Sequence, residues 1–199
     1  MSTSEDPEIH RIVQQVVQRV MGVAPQPAAP VIAVTPAEAQ SGNLPDAAGQ
    51  KVVAIGADHG GFELKEVLKS TLAEMGFDVR DVGAYNKGAV DYPDFALEVA
   101  RLVSVGKAWR GVMIDGAGVG SCIVANKVPG IRAGMAYDYS SAVNSREHND
   151  TNVLTLGAGL IGVNLAKQIV QTWLTTEFGG GRHARRVDKI MAVEKQYFR

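Results

Sequence analysis

Val112-Met113-Ile114-Asp115-Gly116-Ala117-Gly118-Val119-Gly120, continuing as Ser121-Cys122-Ile123-Val124-Ala125-Asn126-Lys127, decides the fold class of this chain. An apolar run of strand character ends on a carboxylate, a glycine-rich turn follows, and a helix begins. Three glycines in five residues allow positive φ and let backbone N–H groups approach a ligand closely. Those N–H groups and the helix start form a place for an anion or a developing oxyanion. Asp115 stands at the mouth of that place. Its charge opposes anion binding, so it is either a catalytic base or a turn-former.

Outward from this stretch, strands and helices alternate. Strand patterns cover 52–55, 77–82, 112–114, 131–135 and 153–156. Helical patterns cover 62–75, 93–105, 119–127, 138–148 and 161–175, and a final helix is expected at roughly 183–197. Five short strands separated by helices predict an α/β fold, a doubly wound, Rossmann-like five-stranded parallel sheet over residues 51–199. Ligands of such sheets bind beyond the carboxyl ends of the strands. Three polar sets are expected there: Asp58 and His59, Asp115 with Gly116, Gly118 and Gly120, and His148-Asn149-Asp150.

Several chemistries are disfavoured by spacing. No Cys/His pattern resembles a zinc site, so no metal is expected. The glycine loop leads to Ser121-Cys122 with no Walker lysine, and the first loop reads Gly-Ala-Asp-His-Gly-Gly instead of the dinucleotide fingerprint. No cofactor is therefore expected. The 199 residues carry a net charge of −1, which gives no field for nucleic acid or anionic lipid. No run of 18 apolar residues suggests a membrane span, and the N-terminus lacks the layout of a signal peptide. The single cysteine, Cys122, fits a reducing compartment.

Composition changes near residue 50. Six of the eight prolines fall before it, and residues 23–50 have the Ala/Pro/Gly content of a flexible linker, with a span of about 30 Å. Ahead of it, Asp6-Pro7-Glu8 is a helix start. Ile9, Ile12, Val13, Val16, Val17 and Val20 then form one apolar stripe, and Gly22 closes the segment. This predicts an amphipathic helix within residues 1–22, roughly 22 Å long. Too short to be stable alone, it needs a surface: the chain's own core, a second copy or another protein. The pattern resembles the encapsulation peptides that attach enzymes to bacterial microcompartments. That resemblance implies a shell protein as partner of residues 6–22 and a microcompartment lumen as location, the cytoplasm being the alternative.

The segments GADHGGFELK, DYPDFA, GVMIDGAGVGS with IVANKVPGIRA, REHNDTNVLTLG and GGGRHARRV occur in the order of the ribose-5-phosphate isomerase type B family. That family also includes galactose-6-phosphate isomerase subunits. The resemblance spans residues 51–199. It implies isomerisation of a phosphorylated sugar through an enediolate, without metal or nucleotide, in a homodimer or higher homo-oligomer. By motif match it assigns His148 and Asp58 to ring opening and Asn149 to orienting the sugar. The backbone of Gly116, Gly118 and Gly120 would hold the enediolate oxygen, while His59 and Tyr92 line the pocket. Arg182 and Arg186 would bind phosphate, reaching it from a neighbouring subunit; arginine supplies a forked, permanent charge for that task.

The departures bear on the reaction. Many family members carry a cysteine base at the position of Asp115, and others a glutamate a few residues on, near Val119. This chain has neither, which leaves Asp115 as the expected base. Ala117 replaces a hydroxyl residue, and Gly159 stands where some members have an arginine. A catalytically altered sugar-phosphate-binding or scaffolding protein on the same fold is the competing expectation.

Overall fold

The computed structural model describes residues 51–198. Eleven elements follow in chain order: β1 (Val52–Ala57), α1 (Phe62–Glu74), β2 (Asp78–Asp81), α2 (Tyr92–Ser104), β3 (Arg110–Asp115), α3 (Val119–Ala125), β4 (Ala133–Met135), α4 (Tyr139–Glu147), β5 (Val153–Gly157), α5 (Val163–Thr175) and α6 (Arg182–Tyr197). The five strands form one parallel sheet in the order β2-β1-β3-β5-β4. The expected doubly wound, Rossmann-like α/β sheet is what the chain forms. The helix at 1–22 and the linker at 23–50 lie outside the described residues.

Residues of β1, β3 and β5 are almost entirely buried because helices cover both faces. On one face Val53, Ile55, Val112, Ile114, Leu154 and Leu156 pack with Leu68 and Leu72 of α1 and with Ile169 and Trp173 of α5. On the other, Ala54, Met113 and Val153 meet Ala96, Val99 and Ala100 of α2 and Ala125 of α3. Strand alternation sends neighbouring residues to opposite cores. The order of strand addition reverses between β1 and β3, with β2 added on one side and the later strands on the other, which opens a crevice at their carboxyl ends. Ala57 pairs with Ile114 there, so Asp58 and Asp115 follow side by side.

Several boundaries differ from expectation by one or two residues, and the fourth strand shows why. The fourth strand is three residues, 133–135, and not 131–135. Ile131 N–H closes a turn on Val128 O, and Arg132 N–H donates to the Asn152 side chain. Those two residues are spent on a turn and a side-chain cap, leaving only the following ones for the ladder.

Candidate active site

At the carboxyl edge, the turn after β3 is built around Asp115, which is 4% exposed. One oxygen accepts the N–H of Ala117 at 2.8 Å and that of Gly118; the other accepts Ser121 N–H at 3.1 Å and the Ser121 hydroxyl. Four donors converge on one carboxylate, two to each oxygen. The glycines are sterically required. Gly118 has φ +80, and a Cβ there would lie 2.9 Å from the backbone of Leu156. A Cβ on Gly120 would meet the Tyr92 ring at 2.5 Å. Among the described residues, no acceptor takes the N–H groups of Gly116, Val119 or Gly120. They are donors left open at the carboxyl edge of the sheet.

The first loop lies beside it. Asp58 is buried, its N–H donates to Ile114 O at 3.1 Å, and its Oδ1 accepts Gly61 N–H at 2.9 Å, which closes the loop just before α1. Asp58 Oδ2 receives no donor among the described residues. His59 Nδ1 lies 3.1 Å from Val90 O and 3.3 Å from Val90 N, bracing this loop against the segment that leads into α2. Tyr92 opens α2 with its ring against Gly120.

The remaining expected site residues sit elsewhere, and this corrects the expectation that all three polar sets share one edge. His148, Asn149 and Asp150 precede β5, so they stand at its amino end. Asp115 pairs with Gly157 at the carboxyl end of β5. Five strand residues at about 3.3 Å each separate the two groups by roughly 16 Å. The reason is chain direction: a segment that enters a parallel strand lies opposite one that leaves it.

The amino-edge group is firmly built. Asp150 adopts φ 46 and is clamped by Arg132 and Arg146, each at 2.8 Å. This fixes the turn that carries His148 and Asn149. His148 Nδ1 is 2.7 Å from the Asn144 amide, and Asn149 donates to Asn144 O at 3.2 Å. The His148 ring stacks on His183 with centroids 4.1 Å apart. His183, one residue into α6, is held below the ordinary imidazole range by burial, then by His148, Arg182 and Arg186. Its Nδ1 is buried and has no partner among the described residues.

Arg182, Arg185 and Arg186 crowd the first turn of α6, which holds no acidic residue and has no side-chain cap. Cations at a helix N-terminus are unfavourable by about 0.3–1 kcal/mol each at the surface. The cluster therefore concentrates positive charge at an uncapped helix start.

A cavity of about 610 Å³ runs along the outer edge of β4, lined among others by Arg132, Met135, Asp138, Asn144, Asn149 and Ile190. It reaches Asn149 but neither the glycine loop nor Asp58. Sequence reasoning missed Asn144, His183 and Ser121. The signals available were the i, i+4 spacing of Asn144 to His148 and the place of His183 between the arginines.

The model of the family described as Ribose/Galactose Isomerase matches residues 53–190. Ribose-5-phosphate isomerase B of Escherichia coli is 45% identical over 146 residues, 73% of this chain and 98% of that protein. D-erythrulose-4-phosphate isomerase of Pectobacterium atrosepticum is 43% identical over 145 residues, 72% of this chain and 95% of that protein. The solved structure of ribose-5-phosphate isomerase B from Clostridium thermocellum superposes with a TM-score of 0.72 at 50% identity, covering 73% of this chain and 99% of that one. The chain belongs to the ribose/galactose isomerase family of sugar-phosphate isomerases.

Proposed function

We infer that this protein interconverts a phosphorylated aldose and its ketose in a site shared by two copies of the chain. The single observation that carries the reading is the division of the machinery. The anion-holding loop with Asp58 lies at one edge of the sheet, and His148 with the arginine cluster lies at the other. Two copies packed edge to opposite edge bring the halves together twice, as a two-fold dimer requires.

In this arrangement Arg182 and Arg186 hold the phosphate and Asn149 orients the sugar. Asn144 donates to His148 Nδ1, which leaves Nε2 carrying the proton to deliver to a ring oxygen. Gly116, Val119 and Gly120 N–H groups receive the charge that develops on the carbonyl oxygen. A five-carbon phosphate is the first substrate to try and a four-carbon one the second, after the two relatives described above. A non-catalytic sugar-phosphate-binding protein is the second reading, favoured by the closure of Asp115 under four donors.

The experiment is complementation. Asp58→Asn and His148→Asn chains, each inactive alone, are co-expressed with different tags and the mixed dimer isolated. One of its two sites is then intact, so about half of wild-type activity is expected. An inactive mixed dimer, or a fully active monomer, would overturn the shared site.

The N-terminal pattern at residues 6–22 and the linker that follows suit cargo docked to a microcompartment shell. The stripe of six β-branched residues supports this, since such a stripe needs a surface to cover it.

A further inference from the structure

We propose that the Asp58 carboxylate carries the proton between the two reacting carbons, and that Asp115 is the fixed anchor of the glycine loop. The inference rests on the isomerase reading above and names the base which that reading needs.

Three observations bear on it. Asp115 has no oxygen to spare, because each accepts two hydrogen bonds. Asp58 accepts one, through Oδ1, and keeps Oδ2 open. The two carboxylates end adjacent strands, and Gly60 leaves the space between Asp58 and the loop unfilled. A Cβ on Gly60 would stand 3.4 Å from Asp58 Oδ1 and 3.9 Å from Gly116 N. The Asp58 carboxylate, through Oδ1, and the Gly116 N–H thus border the same small volume.

Three other groups of these loops have contacts of their own. The Ser121 hydroxyl donates to Asp115, and His59 Nδ1 faces Val90. The Cys122 thiol donates to Ala133 O at 3.5 Å, and burial pushes it up from the ordinary thiol range.

The step balances without a co-reactant. Asp58 Oδ2 takes the hydrogen on C2 of the open-chain aldose as a proton. The C–H electron pair becomes the C1–C2 double bond, and the carbonyl pair moves onto O1, held by the loop N–H groups. The hydroxyl proton passes from O2 to O1. Asp58 then returns its proton to C1, the double bond collapses, and the carbonyl re-forms at C2.

Ring opening and carbon deprotonation are separable by substrate. Ribulose 5-phosphate and erythrulose 4-phosphate cannot close a ring, so exchange of their C1 hydrogen with deuterium oxide needs the carbon base alone. Wild-type protein is expected to exchange the ketose that it turns over. Asp58→Asn, which still offers an oxygen to Gly61 N–H, should slow that exchange by about 10²–10⁴-fold with the circular dichroism spectrum unchanged. Asp58→Glu, which returns a carboxylate on a longer arm, should recover measurable exchange. Exchange that persists in Asp58→Asn while conversion of a cyclic aldose falls would confine Asp58 to ring opening and overturn the proposal. A wild-type protein that exchanges neither ketose removes the isomerase reading itself, and the proposal with it.

Discussion

Asp115→Asn is the substitution that separates an anchor from a base. The native carboxylate takes Ala117 and Gly118 N–H on one oxygen and the Ser121 N–H and hydroxyl on the other, at 4% exposure. In the variant the single oxygen can serve only one of these pairs. If it stays with Ala117 and Gly118, an amide NH₂ is set against Ser121. The Ser121 hydroxyl can rotate and accept, but its N–H cannot. At least one charge-assisted bond worth about 1.5–3 kcal/mol is lost, and the others lose their charge. The expected cost is about 2–4 kcal/mol, a large part of the roughly 5–15 kcal/mol by which domains are stable. Urea unfolding followed by far-ultraviolet circular dichroism at pH 7 should show a lower midpoint with an unchanged slope. Isomerisation should fall as well, because the loop N–H groups lose their aim. An unchanged midpoint with turnover reduced by about 10²–10⁴-fold would refute the reasoning and make Asp115 the general base.

Three further outcomes are expected. His183 is held below the ordinary imidazole value, chiefly by burial, so the folded state binds its proton less readily than the unfolded chain does. Its contribution is complete above about pH 6.5 and is lost as pH falls through that value towards the folded one; His183→Phe should flatten this part of a pH-dependent melting profile. Arg182→Ala with Arg186→Ala should raise KM for a sugar phosphate by at least about tenfold, from the loss of charge-assisted bonds of about 1.5–3 kcal/mol each. The melting temperature should not fall, since cations leave a helix N-terminus, and inhibition by inorganic phosphate should weaken in parallel. Residues 1–50 fused to a fluorescent protein should direct it to shells in a microcompartment-forming host. Val13→Glu should release it and Gln15→Glu should not; diffuse fluorescence from the unmutated fusion would favour self-association instead.

The sheet was legible because its signals are local and redundant. Apolar runs of strand length, glycine turns and 3.6-residue stripes each limit the same element. The glycine loop was legible for the same reason, since Gly118 and Gly120 stand where a side chain would strike Leu156 or Tyr92. What residue types alone do not tell is which lone pairs are already occupied. Asp115 reads as a base until four donors, one of them the hydroxyl of Ser121 six residues on, are found on it. Motif order has a similar blind spot. REHNDTNVLTLG fixes His148 beside β5, but only the direction of the chain says that it stands at the opposite end of that strand from Asp115.

On the shared-site proposal, that separation also bears on the exposed stripe of α6. α6 begins with the arginines and ends with Ile190, Val193, Tyr197 and Phe198 all exposed, from 45% to 73%. A helix that had only to cap its own domain would turn such residues inward. Here the inward anchors include Val187, His183, Met191, whose Sδ accepts from Arg132 at 3.6 Å, and the Glu194 carboxylate that accepts Gly130 N–H at 2.8 Å. Covering the outer stripe with a second copy would bury apolar area at about 25 cal/mol per Å² and present each arginine cluster to the other chain. The same contact would then supply both the energy of association and the missing half of each site. A truncation ending at Lys189 should therefore lower both dimer stability and turnover. A truncated chain that remains a dimer and works as fast as the full one would show that the halves meet through another surface.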